Sequence, residues 1–245
     1  KHAKQTMRTH YVCSYRNAKG EPIMTYIPGT DQNDEIYASD HSTVNQNYHI
    51  VDAMAGDDYV EGSTITDFLH GGDGDDTIFA VDSASGSDSL MGGDGNDALY
   101  GGSGVNYITG DDSTLADDDN GGANNNDTLY GGGSDDFLRG GIGDDAYYYA
   151  KSDGAQDTIQ EDLSSSSTSG YGAGDDTLYF LEIKAADVWV TQSGNDLHVT
   201  DTLDAQDGSV DFGVIIDNFF DGGPHVVETL QTADGFAYDL TSFLA

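Results

Sequence analysis

The chain has 245 residues, 45 acidic against 8 basic side chains, a formal net charge of −37 and one cysteine. That balance excludes nucleic acid as a partner, because phosphate binding needs the opposite sign, and an anionic membrane surface would repel it. No apolar run approaches the ~18 residues that span a bilayer, and Cys13, being alone, excludes an internal disulfide.

Residues 1–28 are set apart by composition. They hold five of the eight basic residues (Lys1, Lys4, Arg8, Arg16, Lys19) and two of the three prolines, Pro22 and Pro28. The stretch is basic but lacks the apolar core of a cleaved secretory signal. His10–Tyr15 and Ile23–Ile27 alternate weakly and predict two short strands.

From Gly29 to Gln160 the chain repeats. Gly71-Gly72-Asp73-Gly74-Asp75-Asp76-Thr77-Ile78-Phe79 recurs closely from Gly92 and Gly140, and in weaker form from Gly29, Ala53, Gly62, Ser83, Gly101, Gly122 and Gly131. A last copy ends at Gln156–Gln160. A fixed short period of Gly, Asp and one apolar residue marks a parallel β-solenoid with calcium in its turns. Insertions at about 38–50 and 110–121 are expected as surface loops. Residues 161–175, rich in Ser and Gly, read as a linker or loop. From 176 to 245 longer strands are predicted at 177–183, 187–192, 196–200, 213–218 and 226–230, with a hairpin turn at Gly194-Asn195. A solenoid end exposes an apolar cross-section, and this block is the predicted cap, with Trp189, Phe212, Phe219, Phe220 and Phe236 as its apolar bulk.

Each copy divides into a turn, GGxGxD, and a short strand, x-U-x. The turn must aim several backbone carbonyls at one point, which needs positive φ and close approach, hence glycine. Calcium takes six to eight oxygens and tolerates irregular geometry, so carbonyls plus one carboxylate per turn supply about half a site. Two stacked turns complete it. On the strand, period-two alternation sends the middle residue inward. Those residues are Ile36, Val60, Leu69, Ile78, Leu90, Leu99, Ile108, Leu129, Leu138, Tyr147 and Ile159.

Two repeats make one coil, so Asp58 should pair with Asp76, and Asp127 with Asp145. Allowing for insertions, Asp76 pairs with Asp97, Asp67 with Asp88, and Asp136 with Asp157. The candidate metal carboxylates are therefore Asp34, Asp58, Asp76, Asp88, Asp97, Asp127, Asp136, Asp145 and Asp157. The glycines shaping the carbonyl cradle are Gly72, Gly74, Gly93, Gly95, Gly132, Gly141 and Gly143. A merely solvated acidic surface would not keep phase, yet the sixth-position Asp precedes the apolar residue by two in every copy but that of Asn106.

The charge has a consequence for folding. Without calcium the turn carboxylates repel one another, and three-residue strands cannot hold them together. If each site has a Kd of ~0.1 mM, within the range of extracellular modules, ~10 mM calcium contributes ~2.7 kcal/mol per site. At sub-micromolar calcium the same sites contribute almost nothing. The chain should be unfolded inside a cell and folded outside.

These nonapeptides resemble the repeats-in-toxin (RTX) family, whose consensus is GGxGxDxUx, over residues 29–160. The stretch from Tyr147-Tyr148-Tyr149 to Asp157-Thr158-Ile159 is similar to the end of the family's roll. The run from Asp187-Val188-Trp189-Val190 to Ala233-Asp234-Gly235 resembles the haemolysin-type calcium-binding related region that often follows it. The resemblance implies an all-β chain: a right-handed parallel β-roll holding roughly six to nine calcium ions, followed by a β-rich C-terminal cap. It also implies one-step export by type I secretion machinery, with a C-terminal signal compatible with Tyr238–Ala245, and an extracellular or cell-surface location. The sequence departs from the consensus where Gln32, Ile65, Asn125 and Ser134 replace the second-half glycine and Asn106 replaces Asp, so those coils are expected to be metal-poor.

Catalytic motifs are missing: there is no G-x-S-x-G, no H-E-x-x-H, and the seven His lack ligand spacing. The Asp pairs, such as Asp57/Asp58, have fixed places in the turns rather than acid–base roles. The outward strand positions carry Tyr37, Tyr59, Phe68, Phe79, Tyr100, Tyr107, Tyr130, Phe137 and Tyr148, which shield the ladder or offer a flat face to a second subunit, the N-terminal segment or a cell-surface glycan. The leading reading is a non-enzymatic secreted calcium-binding module that folds after export. The alternatives are a surface-layer, fibre or adhesin subunit that self-assembles in calcium, and the C-terminal fragment of an RTX exoenzyme.

Overall fold

A computed structural model describes residues 13–16, 22–41, 48–81, 86–111, 125–161, 174–207, 211–221 and 226–244. Most of segment 1–28, the centres of both insertions and most of the 161–175 linker lie outside them. From β2 (Pro22–Thr30) to β15 (Thr177–Phe180) successive strands alternate between two sheets. The first holds β1 (Cys13–Arg16), β2 (Pro22–Thr30), β4 (Tyr48–Ala55), β6 (Thr66–Asp73), β8 (Ser89–Asp94), β10 (Tyr107–Thr109), β12 (Phe137–Arg139) and β14 (Gln156–Ile159). It ends in β18 (Gly213–Ile216), β17 (Asp196–Asp201) and β16 (Val188–Ser193). The second runs from β3 (Glu35–Tyr37) through β5 (Tyr59–Glu61), β7 (Thr77–Phe79), β9 (Ala98–Tyr100), β11 (Thr128–Tyr130), β13 (Ala146–Tyr149) and β15 (Thr177–Phe180). It closes with β19 (Thr229–Gln231) and β20 (Ala237–Asp239).

From β2 to β18 and from β3 to β19 all neighbours are parallel and in register, for example Ile78↔Leu99 and Leu90↔Ile108. This is a parallel β-roll, each coil giving one strand to each sheet. The inward residues anticipated from alternation are all buried and form one continuous core from Ile27 to Leu240. Parallel order requires a long return between sheet neighbours, and here the return is the strand of the opposite sheet.

The stack extends beyond the nonapeptides on both sides. β2 already pairs with β4, and β15, β18 and β19 continue the two sheets after Ile159. The C-terminal block therefore begins as further coils and becomes antiparallel only at β16–β17–β18 and β19–β20. Its predicted apolar plate is partly different. Phe219 is buried with Leu197, Val199, Val214, Ile216 and Leu230, whereas Trp189 and Phe236 are exposed at 48% and 61%. Trp189 sits on β16, the last strand of its sheet.

Outward aromatics stack along the roll. Phe79 lies on Tyr100 with ring centroids 4.5 Å apart and 6° between planes, and Tyr107–Phe137 and Tyr148–Tyr179 are stacked at 5.1 and 4.8 Å. Their faces cover one another, which leaves edges outward. Each such pair adds about 0.5–1.5 kcal/mol of inter-coil cohesion.

Candidate metal centre

The turn from β6 into β7 shows how one repeat builds its site. Gly72 and Gly74 have φ of +120° and +132°. A Cβ on Gly72 would lie 1.8 Å from the carbonyl oxygen of Met54, and one on Gly74 2.3 Å from that of Gly56, both in the preceding coil. Glycine is thus required for conformation and for room, because carbonyls of one coil press directly on the next. Gly93, Gly95, Gly132, Gly141 and Gly143 share the positive φ. The first glycine of the turn makes room for the carboxylate: a Cβ on Gly71, Gly92 or Gly140 would lie 2.1, 2.1 or 2.0 Å from Oδ2 of Asp76, Asp97 or Asp145.

The sixth-position residues form two ladders, one along each edge of the roll. On the edge leading into the second sheet, each backbone N–H donates to Oδ1 of the next coil's Asp. Asp34 donates to Asp58 (2.5 Å), Asp58 to Asp76 (2.7 Å), Asp76 to Asp97 (2.8 Å), Asp97 to Asp127 (2.8 Å), and Asp127 to Asp145 (2.7 Å). The ladder continues from Asp145 to Asp176 (2.9 Å) and from Asp176 to Glu228 Oε2 (2.8 Å). On the other edge the order is Asp67, Asp88, Asn106, Asp136, Asp157, with N–H to Oδ1 distances of 2.7, 3.1, 2.6 and 3.0 Å. All five pairings anticipated from spacing occur as adjacent rungs. An outer ladder of fifth-position residues runs the opposite way, Asn96 N–H to Asp75 Oδ1 and Asp144 N–H to Asn126 Oδ1.

The ladder occupies one carboxylate oxygen per rung and leaves the other. Oδ2 of Asp58, Asp76, Asp97, Asp127, Asp136, Asp145 and Asp176 is fully enclosed without a hydrogen-bond partner. Burial, more than mutual repulsion, raises their pKa values: Asp76 to about 6, Asp58 and Asp145 to about 7, Asp97 and Asp136 to about 8, Asp127 to about 10. Asp88 and Asp157 rise to about 7 for the same reason. A row of buried, unpartnered anionic oxygens needs a cation or a proton.

Asn106 shows what faces that oxygen in its own turn. Its Oδ1 keeps the ladder, while its Nδ2 donates to the carbonyls of Gly101 (2.7 Å) and Gly104 (2.8 Å), the first and fourth residues of its own turn. Those carbonyls converge on the sixth side chain. Where that side chain is Asp the turn presents only acceptors, and a hard cation fits. Among the described residues no three His, Cys, Asp or Glu side chains converge on one point, as expected of sites supplied mainly by carbonyls. Strand spacing of ~4.8 Å also matches the ~4.6–5.2 Å between oxygens on opposite sides of one calcium ion.

Other predicted positions are internally satisfied. Asp34 Oδ2 accepts from Thr30 N–H (2.7 Å) and Thr30 Oγ1 (2.8 Å). Asp67 Oδ2 accepts from Ser63 N–H (2.5 Å), and its Oδ1 lies 2.7 Å from Nδ1 of buried His49, which ends that ladder. The sequence reading found no role for His49, although it stands one coil before Asp67. It also missed Asp176, although Gly174-Asp175-Asp176-Thr177-Leu178-Tyr179 repeats the spelling of earlier turns, and it missed Glu161.

Residues 52–80, 82–113 and 121–150 match the RTX calcium-binding nonapeptide repeat, a family model of four copies. No curated protein matches the chain. The matched segments contain Asn106 and every unpartnered Oδ2 except that of Asp176.

Proposed function

This chain carries the calcium-binding nonapeptide repeats of the RTX family, and we propose that it is a non-enzymatic secreted module whose folding is driven by calcium after export. RTX repeats are typical of type I secreted extracellular proteins, and export through a narrow channel suits a chain that stays unfolded where calcium is scarce. The observation that carries the reading is the contrast between turns. Asn106 closes its turn with an internal N–H donor, whereas the turns of Asp58, Asp76, Asp97, Asp127, Asp136 and Asp145 hold an enclosed oxygen with no donor. Asp58, Asp76, Asp97, Asp127, Asp136 and Asp145 would hold the ions, together with carbonyls of the turns shaped by Gly72, Gly74, Gly93, Gly95, Gly132, Gly141 and Gly143. Asp88 and Asp157 extend the second edge. Calcium supplies positive charge at these oxygens, and the chain's own residues set the spacing and exclude water.

Metal binding in such a system contributes folding free energy directly. The test is circular dichroism with calorimetry in calcium and after chelation. Strand signal that appears only with calcium, with several ions bound per chain, is expected. A native strand signal in metal-free buffer at neutral pH would overturn the reading.

A further inference from the structure

Two residues past the Leu138↔Ile159 pairing, Glu161 falls in register with Gly140. It thus takes the place held by Gly71, Gly92, Gly110 and Gly140 in the coils before it. Those glycines have no side chain because a Cβ would meet the turn carboxylate. Here a longer acidic side chain enters the same space and is 1% exposed. A second substitution accompanies it. The inward residue of β13 is Tyr147, where the preceding strands of its sheet carry Ile36, Val60, Ile78, Leu99 and Leu129. The Tyr147 hydroxyl accepts from Gly140 N–H (2.5 Å) and donates to Glu161 Oε1.

This geometry fixes Glu161 by one oxygen and leaves Oε2 enclosed without a partner. Asp145 Oδ2 and the Tyr147 hydroxyl both lie against Gly140, and Asp176 is the next rung above Asp145. Oδ2 of Asp145 and of Asp176 are likewise enclosed and unpartnered. Among the described residues no cationic side chain pairs with Glu161, Asp145 or Asp176. Asp111 adds a third buried carboxylate to the Asp127–Asp145 turn, but both its oxygens accept hydrogen bonds, from Asn125 Nδ2 and Ile142 N–H. The turn at the end of the repeats therefore carries one more carboxylate with an enclosed, unpartnered oxygen than any repeat turn, and two of its three acids lie outside the matched repeats.

We propose that Glu161, with Asp145 and Asp176, forms an additional calcium site at the C-terminal end of the roll, and that it is the tightest site in the chain. The inference rests on the calcium reading of the repeat turns. Calcium affinity rises with the number of charged ligands, and this site offers one more unpartnered carboxylate than the repeat turns. The ion would draw the three oxygens together with nearby carbonyls, since the side chains alone do not meet at one point. Filling it first would order β13 and β15 side by side, and so give the preceding coils an edge on which to stack.

The test is calcium titration calorimetry on the full chain and on Glu161→Gln, with Asp76→Asn as the repeat-site control. Gln keeps the size and the acceptor for Tyr147. Glu161→Gln is expected to lose one equivalent and to weaken the first binding step about tenfold or more, because calcium affinity falls with the charge count of the ligands. Asp76→Asn should keep the first step and lose uptake from the weaker class. A Glu161→Gln isotherm that superimposes on the parent overturns the inference and leaves the repeat reading standing. A parent chain that takes up no calcium overturns the repeat reading itself. If Glu161→Gln does not fold in saturating calcium, Asp176→Asn is read in the same way, and an unchanged first step in that variant overturns the proposal.

Discussion

Replacing Asn106 by Asp should turn a metal-independent turn into a calcium-dependent one. The carboxylate keeps one oxygen for the Asp88 N–H but removes both donors to the carbonyls of Gly101 and Gly104. Each buried acceptor left unmade costs about 1–3 kcal/mol, so at low calcium Asn106→Asp should be less stable by roughly 2–6 kcal/mol. The new turn has the donor set of its neighbours, so it should bind one further ion. The stability gap to the parent should then close by about 1.4 kcal/mol for every tenfold rise in free calcium, the increment for one extra ion. Urea unfolding at a series of calcium concentrations above the folding midpoint measures that slope, and calorimetry counts the ion. A gap that does not change with calcium, or an unchanged stoichiometry, would refute the reasoning.

Three further outcomes follow from the same geometry. Asp76→Ala should raise the calcium midpoint for folding more than Asp34→Ala, because Asp34 is already satisfied by Thr30; equal shifts by circular dichroism would count against it. The buried carboxylates have folded-state pKa values of about 6 to 10, above the unfolded value near 3.9, so the metal-free fold gains stability that is complete below pH ~4 and lost as pH rises through 6–10. Metal-free protein should therefore gain strand signal on acidification from pH 8 to 5, and calcium binding near neutrality should release protons; loss of signal on acidification contradicts this. Gly72→Ala should abolish or severely weaken folding, since its Cβ would sit 1.8 Å from Met54 O at φ +120°, whereas Gly154→Ala, at φ +71° with open space around it, should cost only about 1–2 kcal/mol in thermal unfolding.

The roll was legible because its signals are periodic. Alternation at Ile78 or Leu90 specifies which face is inside, and the phase of Gly and Asp specifies which coils stack, so the rungs from Asp58 to Asp145 could be paired by counting. The signal weakened where the coil kept its geometry but changed its chemistry. β18 and β19 lie in the sheets with ordinary apolar strands and no repeat spelling before them, so they read as a separate cap. The direction of the carboxylate oxygens was not legible at all. That Oδ1 is held by the backbone N–H of the preceding coil while Oδ2 stands alone depends on the coil-to-coil offset, which no residue type encodes. Glu161, and the bond Tyr147 makes to it, escaped notice for a related reason. A Glu in a Ser-rich stretch and a Tyr among aromatics are unremarkable singly, and become a site only when register places one above Gly140.

The contrast between Asp and Asn at the sixth position bears on why the chain carries so much negative charge. Asn106 shows that an amide closes the turn with both ladder and carbonyls satisfied, and it needs no ion to do so. A roll with Asn at every rung would close its turns at any calcium concentration. Asp at the same place keeps the ladder bond but leaves an enclosed anion, which destabilises the coil until a cation arrives. The number of Asp rungs then sets how steeply folding depends on calcium, and the Asn106 and His49 positions set how much of one edge is exempt. On this argument the edge of Asp58, Asp76, Asp97, Asp127, Asp145 and Asp176 is the more calcium-responsive one, while the opposite edge keeps one such enclosed oxygen, on Asp136. The opposite edge, broken by His49 and Asn106, gives the coils a partial framework, and calcium on the first edge completes it.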